Sequence, residues 1–199
     1  MNVRIAQLVT FNAGIWYNDV LEMNSYTAKL WMITQTYDTQ EQSIAFQRMK
    51  HFVYTELDST IFVGSELQDK CNQLTQAGLN VTTLPGAAVD QLIGIMLFHK
   101  LNAIMEGRIV VVEVEISAGD GVIYLHSENE TSESIPQPDW WHQADLVHSE
   151  LLSTADNRIS IHPVATWRDL DLDWPSNTNM STDSDSIVFA DFKKNNETE

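Results

Sequence analysis

The stretch RIVVVEVEISAGDGVIYLHS, residues 108–127, holds the clearest structural signal in the chain. Two runs rich in β-branched residues, 108–117 and 122–127, flank a short connection that contains two glycines. Glycine-containing turns between such runs are typical of β-hairpins. The sequence therefore predicts two antiparallel strands in this part of the chain.

Charged and apolar side chains alternate along the first of these strands. Because successive side chains of a strand point to opposite faces, Glu113 and Glu115 are expected on one face of the sheet. The opposite face is expected to carry Val112, Val114 and Ile116. Two interpretations of the glutamates stay open: they anchor a ligand, or they form a solvated face.

The most hydrophobic helical pattern of the chain lies immediately before the hairpin. Pro85 and Gly86 are expected to open this helix, and Glu106 with Gly107 to end it. Its apolar side chains recur at three- and four-residue spacing, at Val89, Leu92, Ile93, Met96, Leu97, Leu101 and Ile104. This spacing predicts a helix with one face on the core.

The first 37 residues predict two strands. Residues 3–11 and 26–37 are rich in β-branched and aromatic side chains, and the second run alternates in polarity. The stretch between them contains asparagine, glycine and aspartate, which favour turns, and we predict it as a long connection.

Residues 38–84 predict two helices and two short extended segments. Asp38 has the character of a helix cap, and apolar residues recur at helical spacing after it. Residues 60–63 predict a short buried strand, 65–76 a second helix and 79–84 another extended segment. The whole pattern predicts an α+β fold in the order ββααββ, with an antiparallel sheet and helices on one face.

An acidic tail follows this domain, and the change in charge marks the boundary. Residues 1–127 carry 13 acidic and 7 basic side chains, whereas residues 128–199 carry 15 and 4. We predict one domain at 1–127 and a partly disordered, tryptophan-containing extension at 128–199. Within the extension, the sequence predicts a helix at 141–152, a strand at 159–166 and disorder at 176–186.

The composition excludes several classes of protein. A formal net charge of −17 argues against nucleic-acid binding, which needs clustered lysine and arginine. No apolar run approaches the ~20 residues of a membrane span. The N-terminus does not resemble a secretory signal, and the single cysteine, Cys71, suits a reducing compartment. The protein is expected in the cytoplasm, or in a virus particle if its source is viral.

Several segments in residues 4–127 resemble the 6-pyruvoyl- and 6-carboxy-tetrahydropterin synthases, which have the tunnelling fold. The similar segments are FNA at 11–13 (F-S-A in the family), NSYTAKLWM at 24–32 (the H-G-H-N-Y strand), IAFQRMKHFVYTELDSTIFV at 44–63 (V-D-F-x-x-L-K and L-D-H-R-x-L), LPGAAVDQLIGIML at 84–97 (N-P-T-A-E-N-L-A) and VEVEIS at 112–117 (V-x-V-x-E-T). The resemblance implies the same fold and oligomeric assembly.

The catalytic residues that the resemblance implies are mostly missing. Family members bind zinc through three histidines in the region corresponding to 11–26, which contains no histidine here. No cysteine precedes Cys71, and of the family's Asp-His pair only Asp58 remains. The pterin-anchoring glutamate of the family could persist as Glu115 or Glu113. We therefore expect no metal, no cofactor and no catalytic residue.

Other candidate residues have two interpretations each. Asp58 is either a remnant of a catalytic site or the end of a helix. The tryptophans of the tail need burial, either on their own domain or in a neighbouring subunit, and we take them as candidate interaction residues. They are Trp140, Trp141, Trp167 and Trp174. The six histidines show no local metal-binding spacing.

Three functions follow from these observations. The first is a non-catalytic binding or structural protein that forms a homo-oligomer on a degenerate tunnelling fold, with its tail contacting a basic partner or a larger assembly. The second is a metal-independent enzyme or carrier that binds a pterin or purine through Glu113 or Glu115. The third is an acidic decoy or inhibitor of a nucleic-acid-binding protein.

Overall fold

The computed structural model describes residues 4–128, 135–146 and 165–175. Its elements are β1 (Arg4–Tyr17), β2 (Val20–Thr34), α1 (Thr39–His51), β3 (Thr60–Gly64), α2 (Gln68–Gln76), β4 (Val81–Leu84), α3 (Asp90–Met105), β5 (Ile109–Ser117) and β6 (Ile123–Ser127). A π-helical segment, Phe52–Leu57, continues α1, and a 3-10 turn, Asp139–His142, lies in the tail.

The strands form one six-stranded sheet in the order β4-β3-β1-β2-β5-β6. β1, β2, β5 and β6 are antiparallel neighbours, whereas β3 joins β1 and β4 in parallel. The sheet is therefore mixed where an antiparallel one was expected. The reason is that α2 connects β3 to β4, and a helical crossover returns the chain in the same direction. The predicted α+β class is confirmed.

The β1–β2 hairpin is longer than the sequence indicated. Its pairing continues to Tyr17 and Val20, so the long connection predicted between the first two strands was wrong. Asn18 and Asp19 alone form the turn, with φ of 49° and 61°. Two consecutive residues with positive φ are the signature of a type I′ turn, whose twist matches that of the strands. The polar residues around it are strand residues.

The main core lies between one face of the sheet and the helices α1 and α3. Alternate side chains of β1 and β2 enter it, including Val9, Phe11, Ala28 and Leu30, all at most 2% exposed. α2 covers the opposite face at the β3–β4 end, where Cys71 packs in a smaller cluster. The rest of the sheet face on which α2 lies is not covered by a helix among the described residues. We call this uncovered part the open face.

A β-bulge changes the faces expected for β5. The register shifts between Trp31 and Met32, so that Met32 pairs with Val111 and Trp31 with Glu113. Val111 is therefore fully buried beside Val114, and the expectation that Val112 would share that face was wrong. Asn102 of α3 stabilises the bulge, because its side chain accepts from Val111 N at 2.8 Å and donates to Val111 O at 3.0 Å.

The helix termini follow local chemistry. Asp38 caps α1 by accepting from Gln40 N at 2.7 Å and Glu41 N at 3.2 Å. α3 begins at Asp90, later than Pro85, because the chain first turns through Gly86 at a φ of 66°. The helix predicted at 65–76 covers Gln68–Gln76.

The described tail packs on its own domain. Trp140, Trp141, Leu146, Trp167 and Leu172 belong to the main core cluster. Of the helix predicted at 141–152, the structure has the end of a 3-10 turn at Trp141 and His142 and no helix at 143–146, and the remainder lies outside the described residues. The predicted disorder at 176–186 and all but the end of the strand predicted at 159–166 also lie outside them. Within the described residues, no helix has the length and apolarity to cross a membrane.

Candidate functional site

The β1–β2 hairpin and the start of α3 border a cleft of about 180 Å³. Its lining residues are Ile15, Tyr17, Glu22, Asn24, Ala88, Val89, Asp90 and Tyr124. A second cleft, of about 240 Å³, lies on the other side of Tyr17 and is lined by Trp16, Tyr17, Asn18, Asp19, Glu66, Leu67, Ala87 and Ala88. β2 extends beyond β5 at this end of the sheet, because Ser117, the last residue of β5, pairs with Thr27.

Tyr26 and Asp90 connect the sheet to α3 next to the smaller cleft. The Tyr26 hydroxyl donates to Asp90 Oδ1 at 2.7 Å and accepts from Asn24 Nδ2 at 3.4 Å. Burial and the nearby carboxylates raise the pKa of Tyr26 well above its usual range. Phe11 stacks on its ring at 5.2 Å. The phenol is therefore held neutral and serves as a donor.

The lining of the smaller cleft offers carboxylate, amide and phenol oxygens. Histidine and cysteine do not line either cleft. This donor set does not fit the three-histidine zinc site that the resemblance implies. Among the described residues, no group of three histidine, cysteine, aspartate or glutamate side chains is arranged to hold a metal ion.

Glu115 and Glu113 lie on the open face, away from the clefts. Glu115 Oε1 accepts from Trp31 Nε1 at 2.7 Å and from Lys29 Nζ at 3.3 Å. These two donors, the indole first, hold the pKa of the carboxyl below its usual value. Arg4 and Lys29 contact the Trp31 ring at 4.7 and 4.3 Å from its centroid. The Glu115 carboxylate thus already accepts hydrogen bonds from residues of its own chain.

Asp58 is separate from both of these places. It accepts from the backbone N–H of Asn12 at 2.8 Å, and Ser59 N donates to Asn12 O. Ser59 has a φ of 66°, so the chain turns sharply here before β3. Asp58 therefore fixes the end of the helical segment to β1. The structure does not bring it together with Glu113 or Glu115.

Lys100 of α3 holds the first described tail segment. Its Nζ donates to the backbone carbonyls of Trp140, Gln143 and Asp145 at 3.1, 2.8 and 2.7 Å. Lys100 is fully buried, and burial lowers its pKa to about 8 against the opposing effect of Asp145. Trp140 and Trp141 are at most 1% exposed. These tryptophans are therefore buried in their own domain.

Arg48 of α1 holds the second tail segment. Its guanidinium lies over the rings of Trp167 and Trp174, at 4.9 and 4.0 Å. Arg48 Nε donates to Leu172 O at 2.7 Å, and Nη1 donates to Glu106 Oε1 at 2.8 Å. Trp167 is 7% exposed and Trp174 is half-buried. All four candidate tryptophans thus contact the domain of the same chain.

The sequence interpretation missed Lys100 and Arg48. Lys100 is the only charged residue after Asp90 in the apolar helix α3. Arg48 lies four residues after Ile44 and three after Ala45, so it shares their buried face of α1. A charged residue on a buried helical face indicates a polar partner, since an unpaired buried charge is costly. The sequence therefore contains a signal for these two residues, but it does not show which groups they contact.

No protein-family model and no curated protein sequence matches the chain. Among solved structures, it is similar to an uncharacterized protein from Wolinella succinogenes, with 10% identity, a TM-score of 0.47, and coverage of 65% of this chain and 99% of that one. A catalytic-residue mutant of Plasmodium vivax 6-pyruvoyltetrahydropterin synthase has 12% identity, a TM-score of 0.45 and the same coverages. The Plasmodium falciparum synthase has 14% identity, a TM-score of 0.41, and coverage of 63% and 98%. Pterin synthases, the family whose segments the sequence resembles, are thus among the solved structures similar to this chain, at low identity.

Proposed function

We propose that this protein is a non-catalytic, homo-oligomeric binding or structural protein, and that a second copy covers the open face of its sheet. The observation that carries the proposal is the exposure of three large apolar side chains there. Leu8, Ile123 and Leu125 are 59%, 60% and 55% exposed. Large apolar side chains exposed on the same surface are typical of interfaces.

Strand register places these side chains in continuous rows. Leu8 pairs with Lys29, Lys29 with Glu115, and Glu115 with Leu125, which makes one row across four strands. The next row contains Thr10, Thr27, Ser117 and Ile123. In the first row the Lys29–Glu115 ion pair lies between two leucines, and the second row is uncharged, an arrangement suited to packing against another sheet.

Charge also favours this face for self-association. The chain has a net charge of −17, so most of its surface repels a second copy. On the open face, Arg4 and Lys29 balance Glu113 and Glu115. Two copies can therefore approach through this face with little electrostatic repulsion.

Unpaired strand edges add to the same argument. β3 pairs with β1 only over Ala13–Trp16, so the earlier residues of β1 have a described partner strand on one side only. The edge strands β4 and β6 have four and five residues. The unpaired backbone groups of such edges can form hydrogen bonds with strands of another subunit.

A non-catalytic role is supported by the chemistry of the candidate residues. The nucleophile and base of the resembled family are missing from the sequence, and Asp58 is used to hold Asn12. In this proposal, residues 1–127 form the assembling domain, and the described segments of the extension 128–199, residues 135–146 and 165–175, pack on its helices. A basic partner or a larger assembly would contact the remaining acidic surface.

The test is the oligomeric state of the full chain at micromolar concentration, measured by size-exclusion chromatography with light scattering. We expect an oligomer for wild type and a monomer for Leu8→Glu/Leu125→Glu, which adds charge to the open face. Leu79→Glu is the matched control, because Leu79 is 43% exposed outside that face, and it should remain oligomeric. A monomeric wild type contradicts the proposal.

The second candidate function is metal-independent binding of a pterin or purine-like heterocycle. The smaller cleft supports it, because Glu22 and Asp90 offer carboxylates that can accept hydrogen bonds from a guanidine-like ring edge. Glu113 and Glu115, the anchors expected from the sequence, are on the other face of the sheet. Calorimetry with pterins and guanine should show binding that Glu22→Gln weakens, and no binding by wild type would exclude this function.

A further inference from the structure

Three histidines from separate parts of the chain meet beside the first tail segment. His99 lies on α3, His126 on β6 and His142 in the 3-10 turn of the tail. The ring centroid of His99 is 5.9 Å from that of His126 and 5.0 Å from that of His142. We call these residues the histidine cluster.

The cluster forms part of the surface on which the tail turn is packed. Trp141 stacks on His99, with ring centroids 6.0 Å apart and an interplanar angle of 13°. His99 Nε2 is buried without a hydrogen-bond partner, so a proton added there meets no acceptor. His142 Nε2 contacts Gln137 Oε1 at 2.9 Å. Neutral imidazoles fit this environment, whereas imidazolium ions repel one another in it.

The charged groups around the cluster are few and can be named. His126 faces His99 from β6, and His142 faces it from the tail. Lys100, the next residue of α3, is directed to tail carbonyls and also feels the charges of Glu56 and Asp145. The shift in the pKa of His99, to about 4, has burial as its first cause and the other two imidazoles as the next.

We propose that the histidine cluster is an acid-sensitive latch, which keeps the tail turn on α3 while its imidazoles are neutral and releases it when they are protonated. Release separates Trp140 and Trp141 from α3 and uncovers the apolar surface beneath them. Lys100 stays charged throughout this change, because its pKa of about 8 lies above the acidic range.

The direction of the pH dependence follows from the His99 shift. The folded-state pKa is about 4 and the ordinary value is 6.5. The unfolded or released state therefore binds more protons than the closed state across this interval. Stability of the closed turn is fully present above about pH 6.5 and is lost as the pH falls toward 4.

The test follows acrylamide quenching of tryptophan fluorescence in the full chain from pH 7.5 to 4.5, with histidine ring resonances recorded by NMR in parallel. Quenching of wild type should rise as the histidine resonances titrate. His99→Phe keeps a stacking partner for Trp141 without a titrating group, and its quenching should stay low. His142→Gln should move the transition to lower pH by on the order of one unit, because it removes a like charge near His99.

Two control variants separate the latch from other acid effects. Burial raises the pKa of Glu56, and its carboxyl interacts with His51 and Lys100. Glu56→Gln and His51→Gln should each retain the rise in quenching. The proposal is overturned if wild type shows no rise above pH 4.5, or if His99→Phe and His142→Gln both follow the wild-type curve. If His99→Phe fails to fold, His142→Gln, a change at an exposed residue, tests the proposal by itself through the shift of its transition.

Discussion

On one face of the sheet, α1, α3 and two tail segments bury a continuous core that includes three tail tryptophans. On the open face, Leu8, Ile123 and Leu125 remain more than half exposed. The chain thus covers one face with its own residues, and in our proposal a second copy covers the other. The difference separates residues that stabilise the single chain from residues that we expect to control its association.

The largest expected effect concerns a tryptophan on the covered face. Trp141→Ala should lower the free energy of unfolding by about 4 kcal/mol, because it empties a fully buried site. Trp141→Phe is the matched control: the indole N–H has no hydrogen-bond partner in the structure, so this change should cost only about 1 kcal/mol. Urea unfolding followed by circular dichroism gives both values. Equal losses for the two variants would show that the ring does not contribute through its volume.

The second prediction concerns the cation that holds the other tail segment. Arg48→Ala should cost about 3 kcal/mol, since it removes buried volume and leaves the carbonyls of Leu172 and Ile104 without their donor. Arg168→Ala, at an exposed arginine of the same segment, should stay within about 0.5 kcal/mol of wild type. Similar losses for the two variants would contradict a specific role for Arg48.

The third prediction concerns the Tyr26–Asp90 hydrogen bond, also on the covered face. Tyr26→Phe should cost about 1 kcal/mol in urea unfolding at neutral pH. The raised pKa of Tyr26 means that the folded chain keeps this proton where an unfolded tyrosine loses it, so its contribution declines as the pH rises above 10. Spectrophotometric titration of the five tyrosines should then show incomplete ionisation at pH 11, which Tyr26→Phe removes. Ionisation of all five in the folded protein would contradict this.

The smallest effect on the single chain is expected on the open face. Leu125→Ala should change the free energy of unfolding by less than about 0.5 kcal/mol in a sample diluted until it is monomeric, because Leu125 is 55% exposed. At micromolar concentration the same variant should weaken association, as sedimentation velocity would show. A large loss in the dilute sample would mean that the open face stabilises the monomer.

The elements with complete local signals could be predicted from the sequence. The β5–β6 hairpin carries its own turn residues, and Asp38 supplies the cap of α1. The core face of α3 follows from residue spacing. In each case the determining residues lie within the element itself or next to it in the sequence.

Features that depend on distant residues could not be predicted. The turn at Asn18 and Asp19 is only two residues long. Because turn-forming residues also lie near it, the flanking strand segments had the composition of a loop. The bulge that exchanges Val112 for Val111 depends on Asn102 of α3. The histidine cluster joins His99, His126 and His142 through the fold, so local spacing of histidines gave no sign of it. Whether Glu113, Glu115 or Asp58 contacts a ligand stays a prediction.

The manner in which the tail is held has a consequence for sequence variation. Lys100 binds the carbonyls of Trp140, Gln143 and Asp145, and Arg48 binds the carbonyl of Leu172. A carbonyl is present at every residue, so positions 143 and 145 can change their side chains without losing these bonds. In related chains we therefore expect the two cations to persist while those tail positions diverge. The domain therefore constrains positions 143 and 145 through the path of their backbone, whereas it constrains Trp140 and Trp141 through their buried side chains.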